Sequence, residues 1–228
     1  AMKAYSEALG LAKEKRLYDV AGYICSYMAD LYTYTKQRSE ERRKFEEAAE
    51  FFKQAGNERS YAFALRDVAK TWAFDDSLSL ALCYMLRADS IITGLRDSAG
   101  IGVIANGLGN IYNLMGDIEK SKSYFIKSLN SDTIYQAPTY LALSSLYYDE
   151  NILDSARCYL AKVTGAPANP YTLVDRFYLG YLIEKDAGDT EKALSYLEQY
   201  QEKKDSLYDK QKQVDIIDAE KRHDVTRS

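Results

Sequence analysis

The feature that most constrains this 228-residue chain is a pattern that recurs along it. Leu108-Gly109 is followed by Tyr112, then by Gly116-Asp117, then by Ser121 and Phe125. A second copy reads Leu179-Gly180, Ile183, Gly188-Asp189, Ala193 and Leu197, with one residue more in its first half. Three weaker copies keep the skeleton. They are Val68-Ala69, Trp72, Ala81, Met85, Ala88; Leu143-Ser144, Tyr147, Ala156, Leu160, Val163; and Met28-Ala29, Tyr32, Ala48, Phe52, Ala55. Self-similarity of this kind marks stacked supersecondary units rather than one closed core. Spacings of three, one and three place the signature residues of each first half on a single helical stripe. The small residue of each pair lets a second helix approach closely. Gly116 and Gly188 are suited to closing the first helix in the left-handed conformation. Asp117 and Asp189, and Asp76 in its copy, are suited to capping the second. Pro138 and Pro170 sit where a first helix begins, where a missing N–H costs nothing.

This pattern resembles the tetratricopeptide repeat, a helix–turn–helix unit of 34 residues. The resemblance covers roughly residues 17 to 203. It implies an all-α, right-handed α–α superhelix of about five helix–turn–helix repeats. The expected organisation is a solenoid over 1–203, with a partial helix pair at 1–16 and repeats at about 17–56, 57–96, 97–132, 133–166 and 167–203. Residues 204–228 are expected to form a charged C-terminal helix, cap or linker. No copy has Trp at the leading position, where Cys25, Leu65, Ala105, Tyr140 and Arg176 stand instead. The first copy holds seven residues more between Tyr32 and Ala48, about two helical turns, which predicts longer helices there.

Composition narrows the function. Charged residues make up 28% and the formal charge is −4, so a phosphate-tracking basic surface is not expected, and nucleic acid is excluded as a partner of this segment. The single histidine is His223, in the polar tail, which leaves Ser-His-Asp and Cys-His chemistry without a base. Gly100, Gly102, Gly107 and Gly109 imitate a phosphate loop, but no strand precedes them. The chain reads as a non-enzyme that needs no cofactor. Cys25, Cys83 and Cys158 have no metal-ligand spacing and read as small buried hydrophobes with free thiols, so no metal is expected. The uncharged run from Ser98 to Gly116 carries three Asn and five Gly, too polar to insert in a membrane. Tyrosine is over-represented, with 21 Tyr against 7 Phe, so the fold repeatedly asks for a ring with a polar tip.

In a tetratricopeptide solenoid the first helices line an inner groove. The resemblance implies groove positions at Tyr23, Ser26, Asp30 and Thr33; Phe63, Arg66, Lys70 and Ala73; Val103, Asn106, Asn110 and Asn113; Leu141, Ser145 and Tyr148; and Val174, Phe177, Tyr181 and Glu184. The candidate ligand-binding residues are Tyr23, Asp30, Phe63, Arg66, Lys70, Asn106, Asn110, Asn113, Tyr148, Phe177 and Tyr181. Aromatic anchors, cations and a ladder of amides suit a protein or peptide partner. Arg66, Lys70 and Asn110 partly match a clamp for a terminal carboxylate, but Leu141 and Ser145 stand where its further cations are needed.

The tail Lys203-Lys204-Asp205-Ser206-Leu207-Tyr208, followed by a charged helix, resembles the region after the repeats in bacterial membrane-anchored regulators. That resemblance implies the sensory or assembly part of a larger protein, with an extracytoplasmic location favoured over a cytoplasmic one. The opening Ala1-Met2 reads as an appended start, consistent with a piece of something longer. The alternatives are a cytoplasmic regulator that binds a signalling peptide, and a scaffold that self-associates through its solenoid ends.

Overall fold

The computed structural model describes residues 2–35, 37–131, 136–163 and 170–207. All regular structure among the described residues is helical. The chain divides into two compact units, Ala1–Tyr135 and Gln136–Ser228.

The first unit contains α1 (Met2–Glu14), α2 (Tyr18–Tyr34), α3 (Arg38–Gln54), α4 (Glu58–Phe74), α5 (Leu78–Gly94), α6 (Ser98–Leu114) and α7 (Ile118–Leu129). From α2 to α6 every helix is 17 residues long. Each helix packs on the one before and the one after it, and α4 also touches α6. The three-residue links explain this cadence. In the α6–α7 link Gly116 adopts φ 77°, its N–H bonds to the Asn113 carbonyl at 2.9 Å, and the Asp117 N–H bonds to the Tyr112 carbonyl at 2.9 Å. This Schellman closure satisfies two carbonyls that the helix end would otherwise orphan. Asp117 then starts the next helix by accepting from the Lys120 N–H at 3.2 Å. The same left-handed residue recurs at Arg16, Gly56, Asp76 and Arg96, with φ between 54° and 70°. Asp76 is therefore the left-handed residue of its link, and the N-cap of α5 is Ser77, not Asp76.

Within each pair a small residue on the first helix meets a large one on the second. A Cβ on Gly109 would lie 2.5 Å from Cδ1 of Phe125, so only glycine admits that ring. Ser121 and Ser128 of α7 donate to the carbonyls of Gly109 and Gly102 at 2.9 and 2.7 Å, which satisfies buried hydroxyls across the interface. Leu108, Ile104 and Ala105 are fully buried between neighbouring helices. Burying a leucine side chain completely contributes about 1.5–3 kcal/mol, so stacking rather than helix propensity holds the unit together.

The first pair corrects the expectation of longer helices. α3, α5 and α7 begin at Arg38, Leu78 and Ile118, in even steps of 40 residues, and nothing is inserted. Glu41 occupies the place of Ala81 and Ser121, and Phe45 that of Met85 and Phe125, packed with Ala29 and Val68. Glu41 is buried because Thr33 donates to it at 2.9 Å and Arg38 lies 3.4 Å away. Ala48 and Phe52 continue the same face two turns further on, and Phe52 lies against Gly22.

The second unit contains α8 (Gln136–Asp149), α9 (Leu153–Ala161), α10 (Pro170–Asp186) and a helix over 190–207, here α11. Ser144 donates to the Ala156 carbonyl at 2.8 Å, and Ala156, Leu160, Leu179 and Ile183 form the core. Gly188 closes α10 at φ 80°. Tyr196, not the expected Leu197, packs over Gly180, the glycine's absent Cβ falling 2.7 Å from the ring. Gly180 and Tyr196 are as far apart in sequence as Gly109 and Phe125, so the ring keeps its spacing from the glycine although the link comes one residue later.

Cys25 is buried, but Cys83 and Cys158 are exposed, which corrects the reading of all three thiols as core residues. His223 and the tail from 208 onward lie outside the described residues.

Candidate functional site

The first helices of the first unit are tied side by side at their starts. Tyr23 Oη lies 3.0 Å from Ser60 Oγ, joining α2 to α4. Arg59 Nε donates to Asp97 at 2.6 Å, joining α4 to the cap of α6. One stripe of these helices stays open while the others pack: Tyr23, Asp30, Lys70 and Asn110 are exposed, and Phe63, Arg66, Asn106 and Asn113 are half-buried.

Arg66 and Lys70 do not stand as a clamp. Asp67, which sequence reasoning passed over, receives two guanidinium N–H bonds from Arg66, at 3.0 and 2.9 Å, and sits 3.3 Å from Lys70 Nζ. Arg66 also lies over the Phe63 ring, 5.0 Å from its centre, with Arg59 4.8 Å from the same centre. The signal that could have found Asp67 is its place three residues before Lys70, a helical ion-pair spacing. Protein surrounds the Lys70 ammonium closely enough that desolvation pulls its pKa below the usual lysine range, yet 51% of the side chain remains accessible. Accessibility decides whether a ligand can touch it, and here it can. Burial pushes the Asp30 carboxyl up, and Asp67 and Glu41 facing it push the same way. The amide ladder is partly self-satisfied, since Asn110 Nδ2 donates to Asn106 Oδ1 at 3.2 Å.

In the second unit, Tyr148 donates to Asp186 at 2.7 Å, and that hydrogen bond, with burial, raises the phenol to about 12. The ring of Tyr181, half-buried, lies 6.2 Å from that of Tyr178, with Lys185 Nζ 5.8 Å from its centre. Phe177 is only 7% exposed, so it is a packed side chain and not the groove-facing ring expected of it. It is covered on one side by the Arg176 guanidinium, 5.3 Å from its ring centre. Glu184 is also buried, held by Arg157 through bonds of 3.0 and 2.6 Å in an open depression of about 890 Å³.

Among the described residues, no group of three or more His, Cys, Asp or Glu could hold a metal ion. No helix among them is long and apolar enough to cross a membrane. Cys25 is pushed up to about 11 by burial and by Glu47, whose carboxylate lies 3.7 Å from Sγ, so it is a poor nucleophile.

No family model matches the sequence, and no curated protein matches it. Solved structures do. BtubC (BKLC) from P. vanneervenii superposes with a TM-score of 0.72 at 18% identity, over 91% of this chain and 89% of that one. PilF of Pseudomonas aeruginosa gives 0.56 at 18%, over 90% and 96%. A kinesin-light-chain-like protein of Podosopora anserina, built of nearly identical TPR-like repeats, gives 0.58 at 14%, over 80% and 94%. The fold is that of a tetratricopeptide-repeat protein, all-α and solenoid-like.

Proposed function

We propose that this chain is a non-catalytic module that binds a protein or peptide along the open stripe of α2, α4 and α6. The observation that carries this reading is selective exposure. Those helices bury their signature residues but keep Tyr23, Asp30, Phe63, Lys70, Asn110 and Asn113 where a ligand can reach them. Aromatic rings supply contact area at low entropic cost, and amides both donate and accept toward an extended backbone. Tyr148 and Tyr181 are proposed as ligand contacts of the second unit taken by itself. The test is selection of peptides from a random phage library on the immobilised chain. Selected peptides bind at least tenfold more weakly when Asn106→Ala and Asn110→Ala are combined; undiminished affinity moves the site elsewhere.

The role as the sensory or assembly region of a larger bacterial regulator is a second proposal, supported by the likeness of Lys203–Tyr208 and the charged tail to such proteins. The sequence of the full gene tests it. A signal or lipobox is expected upstream, and downstream an apolar run of about 20 residues, the length of helix that crosses a bilayer. A gene without either removes the reading.

A further inference from the structure

We propose that the stripe in the first unit selects a peptide carrying a basic side chain, and that Asp30 is the group that holds it. The proposal rests on the peptide-binding reading above and adds the chemistry of the partner.

Most charges around the stripe are already answered. Arg66 is held by both oxygens of Asp67, Lys70 shares the same carboxylate, Arg38 lies against Glu41, and Arg42 pairs with Asp75. Each of these cations therefore has a carboxylate in contact. Asp30 differs. It is exposed, and among the described residues it makes no hydrogen bond or ion pair. The groups that face it are Glu41 from α3 and Asp67, Arg66 and Lys70 from α4; desolvation and the two acids raise its pKa, and the two cations, both in contact with Asp67, lower it by less. An open carboxylate pressed by two like charges gains most from a cation that arrives with the ligand.

The surroundings of Asp30 fit that cation. Tyr27 precedes it by three residues and so neighbours it on the helix surface. Its ring is 54% exposed while Tyr5 stacks on it at 6.2 Å. A carboxylate beside an accessible phenol ring offers an ion pair and a cation–π contact to the same lysine or arginine head. Packed helices lie about 8–10 Å apart, so a chain crossing from Asp30 on α2 to Asn110 on α6 covers at least about 16–20 Å. At about 3.3 Å per residue that distance takes roughly five or six residues of extended peptide. The basic residue therefore stands near one end of the bound segment, with its backbone over the amides further along.

The test uses an array of octapeptides, degenerate except for one fixed position carrying Arg, Lys, Gln or Glu, probed with the full chain. Arg or Lys at one position is expected to bind about tenfold better than Glu there, which corresponds to about 1.4 kcal/mol. Asp30→Asn removes the preference, Asp30→Lys reverses it toward Glu, and Glu119→Gln, an exposed position on α7 away from the stripe, leaves it in place. Should Asp30→Lys fail to fold, Asp30→Asn, a change at an exposed position, still decides. A basic preference that survives in Asp30→Asn overturns the assignment, as does a preference for Glu in the unaltered chain. Peptides that bind without any charge preference overturn the assignment and leave the peptide-binding reading standing. Absence of binding to every pool removes that reading, and the assignment with it.

Discussion

Arg96 offers a clean measurement of what the links contribute. It sits at φ 55° between α5 and α6, in the left-handed region where a Cβ crowds the following carbonyl. A non-glycine residue there costs about 1–2 kcal/mol. Replacing it with glycine removes that cost but frees the unfolded chain by about 0.5–1 kcal/mol. The net expectation is a gain of about 0.5–1 kcal/mol for Arg96→Gly. The side chain itself is exposed and makes no hydrogen bond or ion pair among the described residues, so its removal forfeits no contact. Gly116→Ala is the converse. Nothing lies within 4 Å of the added Cβ, so the loss of about 1 kcal/mol is a backbone effect alone. Urea unfolding followed through the single tryptophan, Trp72 in α4, reports on this unit. Arg96→Ala keeps the Cβ and should gain little. If alanine stabilises as much as glycine, the effect belongs to the lost charge and the backbone account is wrong.

Three further outcomes follow from the packing and the ionisable groups. Gly109→Ala should destabilise by about 1–3 kcal/mol in the same unfolding assay, because Phe125 must move, and Phe125→Leu should recover part of the loss. Thiol titration at mildly alkaline pH should modify Cys83 and Cys158 in the native protein and Cys25 only after denaturant is added, since its thiol is buried and raised to about 11. Asp30→Asn should be neutral near pH 3 and more stable than the parent near pH 7. The carboxyl is raised in the folded state, so the parent loses stability as pH climbs from the ordinary aspartate pKa through the folded value. Thermal unfolding at several pH values reads this, and an Asp30→Asn advantage confined to acid would reverse the sign.

The fold was legible where small and large residues alternate at fixed spacing, as at Gly109 with Phe125 or Ser144 with Ala156. It misled at Glu41. A glutamate in the place of alanine hid the true register of α3, and Ala48 with Phe52 offered a better match two turns away. What rescues Glu41 is a guanidinium one turn back, at a helical ion-pair spacing, and a hydroxyl on α2 that sequence spacing does not single out. Tyr196 escaped notice for a related reason: counted from the link at Gly188, Leu197 holds the expected place, whereas the ring keeps its spacing from Gly180. At the candidate site, residue types and positions on α2, α4 and α6 were readable. The ion pairing was not, because Asp67 lies beside the expected groove positions and still captures both of their cations.

The even cadence of the links has a consequence for how such a chain can be cut and rejoined. Asn57 and Asp97 play one role at the heads of α4 and α6, each accepting from the backbone N–H three residues on, at 3.0 Å. Excising 58–97 would join Asn57 directly to Ser98 and leave a capped helix start behind the same closing turn at Gly56. The chain can thus be shortened or lengthened by whole blocks without disturbing a joint, and the width of the binding surface becomes a quantity that can be edited independently of its chemistry.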